Sequence, residues 1–292
     1  MRTARRSGFT LFQLLIVIAL LFLLLGLLLA ATGKVRMASK QAMSMNNLKQ
    51  LGLALHSYHD SFGQFPPGVD AKNFSASAKL LPFIEQDAVY RKIDFKKSVD
   101  DKDNAAMRAV RIKTFESPQD PQGPPKAEYG PTNYLYNNLV FYRDSKLKLT
   151  DILDGTSNTV MIGETLKGDG KAQAEDVRRQ HVLLGKDDLK GLKPDAGVKY
   201  FKEDKNIASD RCASWMDGRF LQGTFNGELG PNDSRPDVSC GGEGGVSALR
   251  SLEPVVIVAL CDGSVRTVKN TISHANWKRA IDPVDNEVLN WE

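Results

Sequence analysis

The sequence contains few of the side chains that usually carry catalysis or metal binding. It has three cysteines and four histidines among 292 residues, and no two cysteines form a Cys-x-x-Cys pair. This scarcity excludes a disulfide-rich scaffold and argues against a structural zinc site. A Gly-x-Ser-x-Gly elbow, a phosphate-binding loop and a His-Glu-x-x-His motif are also absent, so the sequence predicts no enzyme activity.

The sequence also lacks a large excess of either charge. It carries 39 Lys and Arg residues against 35 Asp and Glu residues, and Arg2, Arg5 and Arg6 lie in the first eight positions, which leaves 36 basic residues in the rest. No basic patch with interleaved aromatic residues stands out. We therefore expect no nucleic-acid partner.

Charge is missing altogether from residues 9–31, where only Thr10 and Gln13 are strongly polar. At 1.5 Å per residue, a helix over these 23 positions is roughly 35 Å long, enough to cross a hydrocarbon core of about 30 Å. The pattern predicts one transmembrane segment, residues 9–31, surrounded by membrane lipid.

Three kinds of membrane segment fit this run. A cleaved secretory signal has a shorter apolar stretch and a small-residue cleavage site, for which residues 29–31 offer only a weak match. An uncleaved anchor fits the hydrophobicity equally well. The third kind is a type IV prepilin signal, which the order of Gly8 before Phe9 resembles. That resemblance implies that a prepilin peptidase removes the basic leader, residues 1–8.

The leader also indicates the orientation. Its arginines favour a cytoplasmic N-terminus by the positive-inside rule, although Lys34, Arg36 and Lys40 follow the span, so the leader type carries the argument. We expect a single-pass protein of the cytoplasmic (inner) membrane, with its C-terminal domain outside the cytoplasm.

Gln13 departs from the prepilin pattern. Pilin-like proteins usually carry glutamate at the fifth mature position, where its carboxylate can pair with the N-terminal ammonium of a neighbouring subunit. Glutamine can accept a hydrogen bond but cannot neutralise that ammonium. The change argues against polymerisation into a filament and leaves the predicted cleavage unaffected.

Beyond the span, the apolar pattern becomes one-sided and predicts an amphipathic continuation of the helix over residues 32–62. Phe-Pro-Pro-Gly at 65–68 ends it. We expect one helix from Phe9 to about Ser61, roughly 80 Å long, whose second half packs on a globular domain. The positions that recur three or four apart are Met45, Leu48, Gly52, Leu55, His59 and Phe62.

Residues 63–292 are expected to form an α+β domain outside the cytoplasm, with an antiparallel sheet and inserted loops. An Asp-Gly turn between the apolar runs 255–260 and 265–269 predicts a hairpin. Ser273 can cap a final short helix. Residues 167–210 are charged and lack periodicity, which predicts a variable or flexible excursion.

Ordered blocks along the chain resemble one family. The chain looks like a divergent member of the bacterial pilin-like family known as domain of unknown function 1559, which resembles type II secretion pseudopilin G. The resemblance implies a pseudopilin-like fold, with a long N-terminal transmembrane helix packed on an antiparallel sheet. The blocks include Asn-Asn-Leu-Lys-Gln at 46–50, Phe-Pro-Pro-Gly at 65–68, Leu-Leu-Pro-Phe-Ile-Glu-Gln at 80–86, Asp-Gly-Thr-Ser-Asn-Thr at 154–159 and Asp-Gly-Ser-Val-Arg at 262–266.

The cysteines depart from the family pattern. Members often carry one cysteine just before the Asn-Asn block and another in a Cys-Pro-Ser-Asp segment, where this chain has Ser44 and Ser117. The resemblance implies that the two family cysteines form one disulfide, which explains why this chain lacks both of them together. Outside the cytoplasm Cys212 and Cys240 could pair and leave Cys261 in an apolar strand, but three cysteines fix no connectivity.

A metal site has only weak support. Ordinary turn chemistry explains the acidic loops near the C-terminus and is the favoured interpretation. His56 and His59 lie three apart on a helix, but no third ligand accompanies them. Some secretion pseudopilins bind calcium near the C-terminus, and by that analogy the ligands would be Asp217, Asn232, Asp233 and Asp237.

The sequence therefore favours a membrane-anchored, non-enzymatic pseudopilin-like protein, a minor subunit of a type II secretion or type IV pilus-like assembly. Other pseudopilin or secretion-system subunits would then be its partners. The alternative is a monomeric, anchored extracytoplasmic binding protein that uses the prepilin-type leader for export. Its ligand would contact the charged excursion and the loops from Trp215 to Pro236. A hydrolase would need clustered acids and histidines, which four scattered histidines do not predict.

Overall fold

The structure, a computed structural model, describes residues 10–287 and 289–291, without the side chains of residues 27–32 and 34. The chain divides into two compact units, Met1–Ala42 and Met43–Glu292. Helix α1 (Leu11–Phe62) forms the described part of the first unit and begins the second. Its last residue lies one position beyond the predicted end of the long helix.

Helix α1 begins with a capping box. The backbone N–H of Thr10 donates to Gln13 Oε1 (3.0 Å), and the backbone N–H of Gln13 donates to Thr10 Oγ1 (3.3 Å). Helix starts leave backbone donors without intrahelical partners, and this reciprocal pair satisfies two of them. Gln13 therefore helps to define where α1 starts.

In the first unit, α1 exposes large apolar side chains from Leu11 to Leu25, with exposed fractions between 43% at Ile16 and 82% at Leu11. Among the residues described, no helix reaches the combined length and apolarity of a membrane-spanning segment. Residue 9 and the side chains of 27–31, which belong to the predicted span 9–31, lie outside the described residues.

The second unit is α+β, as the sequence predicts. Its short helices are α2 (Ala76–Leu80), α3 (Asp87–Tyr90), α4 (Ala105–Arg108), α5 (Gly197–Lys202) and α6 (His274–Ile281). Single 3₁₀ turns occupy Leu81–Ile84, Lys102–Asn104, Lys113–Phe115, Leu149–Asp151 and Lys186–Leu189. The strands are β1 (Tyr134–Asn137), β2 (Val160–Glu164), β3 (His181–Leu184), β4 (Ile207–Ala208), β5 (Thr224–Phe225), β6 (Asp237–Cys240), β7 (Gly244–Val246), β8 (Val255–Leu260) and β9 (Val265–Lys269).

The described strands form two mixed sheets, so the expectation of one antiparallel sheet is wrong. The first sheet has the order β5-β1-β2-β8-β9, and the second has the order β4-β3-β6-β7. Pairing is antiparallel except between β1 and β5 and between β3 and β6. Each parallel pair is joined by a long crossover, because a tight turn can connect only antiparallel neighbours.

Both faces of the first sheet are covered. Successive side chains of a strand point to opposite faces. Along β8, Ile257 and Ala259 belong to the same apolar cluster as Leu48, Leu51 and Leu55 of α1. The alternate β8 residues Val256, Val258 and Leu260 pack with Trp277 and Ile281 of α6. The predicted packing of the second part of the long helix on a sheet is confirmed.

Two local predictions in the last third are also confirmed. Strands β8 and β9 form an antiparallel hairpin in which Val256 lies opposite Val268, and Gly263 in its turn has φ +77°. Only glycine adopts that backbone conformation at little cost. Helix α6 begins after Ser273, whose hydroxyl accepts the backbone N–H of Asn276.

The segment 167–210, for which the sequence predicts a variable or flexible excursion, contains regular secondary structure. It contains β3, α5 and β4 and supplies two strands of the second sheet. The charge pattern of this segment resembles a solvated stretch, but some of its charged side chains are buried in the protein. Arg179 donates to Asp120 Oδ1 (2.9 Å), while the ammonium of Lys167, whose side chain is buried, donates to Asn133 Oδ1 (2.9 Å).

A fully buried carboxylate lies where the two sheets meet. Asp237, the first residue of β6, accepts hydrogen bonds from Arg211 Nη1 (2.7 Å), from Arg250 Nη2 and from the backbone N–H of Ala248 (3.0 Å). Arg211 also donates to Thr165 Oγ1 (2.9 Å), directly after β2 of the first sheet. These contacts link β6 of the second sheet to the end of β2.

The two serines at the family cysteine positions touch each other. Ser44 Oγ lies 2.7 Å from Ser117 Oγ, and both residues are buried. The Ser117 hydroxyl also donates to Glu164 Oε1 (2.6 Å). Burial raises the pKa of Glu164 to about 7, despite the opposing hydrogen bonds from Ser117, Ser44 and Gln119. The arrangement agrees with the inference that the family cysteines form one disulfide.

We expect the double variant Ser44→Cys/Ser117→Cys to form that disulfide on oxidation. Positions separated by 73 residues would be joined, and closing a loop of this size typically stabilises a protein by about 2–4 kcal/mol. Loss of the hydrogen bond to Glu164 reduces the gain by about 1 kcal/mol. The check is the free energy of unfolding of the oxidised and reduced double variant, with both single variants as controls. Failure of the two thiols to couple would contradict the described pairing.

Candidate functional site

The second unit contains a polar cleft of about 290 Å³. Its walls come from Lys126 and Tyr129, from β3, from the loop 210–222 and from the turn after β6. The segment 167–210 and the loops from Trp215 to Pro236 thus both contribute, which is where the sequence placed the ligand of a binding protein. Every lining residue belongs to the second unit.

Strand pairing and glycine geometry shape the cleft. In the parallel pair of β3 and β6, His181 lies opposite Asp237, so β3 is held beside the buried carboxylate. The chain turns after β6 at Gly241 and Gly242, whose φ angles are +57° and +75°. Gly242 O then accepts the backbone N–H of Phe220 (2.9 Å), which closes this wall of the cleft.

His181 is the buried histidine of the cleft and is 3% exposed. Its Nε2 lies 3.9 Å from Asp210 Oδ1, and its Nδ1 has no hydrogen-bond partner among the described residues. Burial lowers the pKa of His181 to about 4, and the charges of Arg211 and Lys126 act in the same direction, against Asp210 and Asp237. The imidazole is therefore neutral at pH 7.

Asp210 is paired across the cleft. Lys126 Nζ donates to Asp210 Oδ2 (2.8 Å). Burial alone would raise the pKa of Asp210, but the hydrogen bond from Lys126 and the nearby His181 hold that pKa below its ordinary value. The carboxylate is ionised and carries a matched cation.

A second ion pair lies in the cleft wall. Arg219 donates from Nε and Nη2 to the Asp217 carboxylate, with the shortest contact at 2.6 Å, and its Nη2 also donates to Asp100 Oδ1 (2.9 Å). Burial raises the pKa of Asp217 against the opposing effect of Arg219. The pKa of Arg219 is raised chiefly by the hydrogen bond to Asp217.

The cleft also contains a buried serine. Ser214 also lines the cleft, is 2% exposed, and its hydroxyl has no partner within the described part of the chain. Since His181 Nδ1 is likewise unpartnered there, no hydrogen bond joins a serine nucleophile to the histidine in the described structure. A serine hydrolase needs such a contact between nucleophile and base.

The calcium hypothesis gains no support from the described side chains. Asp217 is paired with Arg219, Asp233 with Arg235 and Asp237 with Arg211 and Arg250. The amide of Asn232 donates to Glu253 O (2.9 Å) and accepts the backbone N–H of Ser251 (2.7 Å). Within the described ranges, no cluster of three or more His, Cys, Asp and Glu side chains could hold a metal ion.

The cysteine pairing considered from the sequence is not formed. In the part of the chain that the structure describes, Cys212, Cys240 and Cys261 are free and buried. Cys212 packs in the cluster beneath α6, whereas Cys240 packs with Val182 and Val238 of the second sheet. The two thiols lie in separate apolar clusters, and burial raises the pKa of each.

The predicted processing residues Gly8 and Phe9 lie outside the described residues. Two features were not predicted from the sequence, the capping box at the start of α1 and the position of His181 in the cleft. Thr-x-x-Gln at 10–13 is the signature of a capping box and could have assigned a contact to Gln13. His181, by contrast, has no neighbouring sequence signal, because its cleft partners are distant in the chain.

One comparison with known proteins gives a match. A family model described as a protein of unknown function (DUF1559) matches residues 33–274. No curated protein and no solved structure matches the chain.

The pKa values of His181 and Glu164 predict opposite pH dependences of stability. The unfolded chain protonates His181 near pH 6.5 and the folded chain only near pH 4, so this residue destabilises the fold as pH falls through that window. The full effect is about 3 kcal/mol. Glu164 binds its proton more tightly when folded, so its contribution is present below pH 4.5 and lost as pH rises to about 7.

We therefore expect the free energy of unfolding of His181→Gln, measured relative to the wild type, to be higher at pH 4.5 than at pH 7. For Glu164→Gln, the same difference from the wild type should be lower at pH 4.5 than at pH 7. Urea denaturation at the two pH values measures both effects. A shift of the same sign in both variants would contradict the described burial of one of the two groups.

Proposed function

The chain belongs to the DUF1559 family, and from this premise we propose that it is a membrane-anchored, non-enzymatic, pseudopilin-like protein. The observation that carries the proposal is the exposed apolar surface of α1 in the first unit, where large apolar side chains from Leu11 to Leu25 are uninterrupted by charge. Exposed apolar surface of this extent marks contact with lipid or protein.

The energetic argument for an anchor is simple. Removing one Leu, Ile, Val or Phe side chain from water contributes about 1.5–3 kcal/mol, and α1 offers a continuous series of them. The basic leader before this helix favours a cytoplasmic N-terminus, so the globular unit would lie outside the cytoplasm. The prepilin-type order of Gly8 and Phe9 supports processing by a prepilin peptidase.

Gln13 supports a minor or specialised role in an assembly. Its side chain is engaged in the capping box with Thr10, and it carries no charge to offer a neighbouring subunit. A type II secretion or type IV pilus-like machine would supply the partner subunits. Other subunits with glutamate at this position could complete the charge pairing that this chain lacks.

The polar cleft favours a second candidate function, an anchored extracytoplasmic binding protein that acts as a monomer. The cleft lies where that alternative predicts the ligand, between segment 167–210 and the loops after Trp215. It contains unpartnered polar atoms on the buried side chains of His181 and Ser214, among the described residues. Both candidates use the same anchor, and they differ in whether α1 contacts other subunits.

Mass spectrometry of the protein recovered from its native membrane tests the processing. We expect a mature chain that begins at Phe9, because the Gly8–Phe9 order resembles a prepilin cleavage site. A Gly8→Leu variant, in which the small residue before the cut is replaced, should retain Met1. An intact wild-type N-terminus or a start after Ala31 would contradict cleavage by a prepilin peptidase.

Cysteine crosslinking along α1 tests lateral assembly. Single substitutions at successive positions from Leu14 to Leu21 should give crosslinked subunits only on one helical face, with a period of three to four residues. Leu252→Cys, on an exposed residue of the second unit, serves as the control for random collisions. Crosslinks on every face, or none, would favour the monomeric binding protein.

Gln13→Glu should increase crosslinking in the same assay, because a carboxylate can neutralise a neighbouring ammonium. Glutamate at this position also completes a capping box, so the start of α1 would be retained. Thr10→Val, which removes the cap without adding charge, separates the two effects. Unchanged crosslinking in Gln13→Glu would refute the role assigned to the missing charge.

A further inference from the structure

A buried lysine contacts a buried asparagine at the end of the first sheet. Lys167 is 1% exposed, and its Nζ donates to Oδ1 of Asn133, which has no exposed surface (2.9 Å). Asn133 directly precedes β1 and Lys167 follows β2, and these two strands pair antiparallel. The backbone N–H of Thr165 donates to Asn133 O (2.7 Å), so the pairing continues beyond the strands. The sheet therefore holds the amine beside the amide, although 34 positions separate the two residues.

A carboxylate lies against both side chains. Asp120 Oδ2 accepts a hydrogen bond from Asn133 Nδ2 (2.9 Å) and lies 3.7 Å from Lys167 Nζ. Arg179 Nη2 donates to the other oxygen, Asp120 Oδ1 (2.9 Å). Burial opposes ionisation, but the charge of Lys167 and the hydrogen bond from Arg179 hold the pKa of Asp120 below its ordinary value. The carboxylate is thus an ionised proton acceptor placed between an ammonium and a primary amide.

The choice of lysine matters at this place. Among the described residues, the other buried cations are arginines, Arg179, Arg211 and Arg250. An arginine stays protonated in proteins, whereas a lysine that gives up a proton becomes a nucleophilic amine. A cation that only paired with Asp120 could be either residue, but only lysine can react with the amide beside it.

We propose that Lys167 and Asn133 form an isopeptide bond, an amide between their side chains, with Asp120 as the group that moves the protons. The oxygen on which negative charge develops, Asn133 Oδ1, already accepts the backbone N–H of Ser117 (2.9 Å), which stabilises that charge. Groups held in contact react far faster than free ones, because the entropy of bringing them together is already lost. The bond forms once per chain and depends on neither the anchor nor the polar cleft.

The step balances without a co-reactant. Asp120 takes a proton from the Lys167 ammonium, and the free amine attacks Cγ of Asn133 to form the new C–N bond. Asp120 passes that proton to Nδ2 and takes a second one from Nζ, and the bond between Cγ and Nδ2 breaks. Ammonia leaves with the second proton as ammonium, so Asp120 ends ionised, as it began. Nζ keeps one hydrogen, and no atom is oxidised or reduced.

Mass spectrometry of the denatured full chain tests the bond. We expect the wild type, once folded, to weigh about 17 Da less than its sequence and measured N-terminus require, since one ammonia is lost. A tryptic digest should yield one branched peptide that contains Asn133 and Lys167, and trypsin should not cleave after the acylated lysine. A folded wild-type chain of full mass would overturn the proposal.

Two variants separate the roles of the lysine and the carboxylate. Lys167→Arg keeps a cation beside Asp120 but supplies no reactive amine, so it should retain the full mass. Asp120→Asn keeps the size of the side chain but cannot take the proton from Lys167, so it should slow the loss of ammonia about 100-fold or more. Circular dichroism checks that both variants fold, and the wild-type mass decides the question if either does not.

Lys79→Arg is the matched control. Lys79 is also partly buried and pairs with an aspartate, Asp70 (2.8 Å), but no asparagine is among its partners in the described part of the chain. This variant should lose ammonia as the wild type does. Loss of the branched peptide in Lys79→Arg would show that the assay reports general disturbance of the fold, and the proposal would lose its support.

Another reaction also removes one ammonia and has to be distinguished. An asparagine followed by glycine can cyclise to a succinimide, and Asn226-Gly227 is such a pair. A mass deficit without the branched peptide, or one that persists in Lys167→Arg, would assign the loss to a ring of this kind and overturn the isopeptide bond. A branched peptide that forms in Asp120→Asn as fast as in the wild type would overturn the role of Asp120.

Discussion

The constraint on which the second unit depends is the burial of Asp237. A carboxylate with no exposure is tolerable only because Arg211 and Arg250 donate to it from either side, together with the backbone N–H of Ala248. Removing one partner of such a group typically costs about 3–5 kcal/mol, since the remaining charge is left uncompensated. Arg211 also reaches Thr165, so one charged cluster links the two sheets.

That cluster determines where the polar cleft forms. Arg211 follows Asp210 directly in the chain, so holding its guanidinium inside presents the Asp210 carboxylate to Lys126. The parallel register of β3 and β6 places His181 opposite Asp237, and its Nε2 lies 3.9 Å from Asp210 Oδ1. The cleft is therefore lined by neighbours of this cluster, since Asp210 precedes Arg211 and His181 lies opposite Asp237.

Local sequence signals predicted the elements that depend on local interactions. The Asp-Gly turn with two apolar runs predicted the β8–β9 hairpin, and Ser273 predicted the start of α6, because both depend on contacts within a few residues. The strands and helix of segment 167–210 were not predicted, for the opposite reason. Its charge pattern resembles a solvated stretch, while Lys167 and Arg179 find partners near residues 120 and 133, far away in the chain.

The amino-acid sequence by itself determined the family, the uncharged apolar run before residue 32, the long helix and the final hairpin, because composition, periodicity and turn chemistry are properties of neighbouring residues. The tertiary structure alone decided which polar groups meet. Ser44 and Ser117 touch across 73 positions, and His181, Asp210 and Lys126 converge from three segments. Such pairings follow from how sheets and crossovers pack, and no local pattern encodes them.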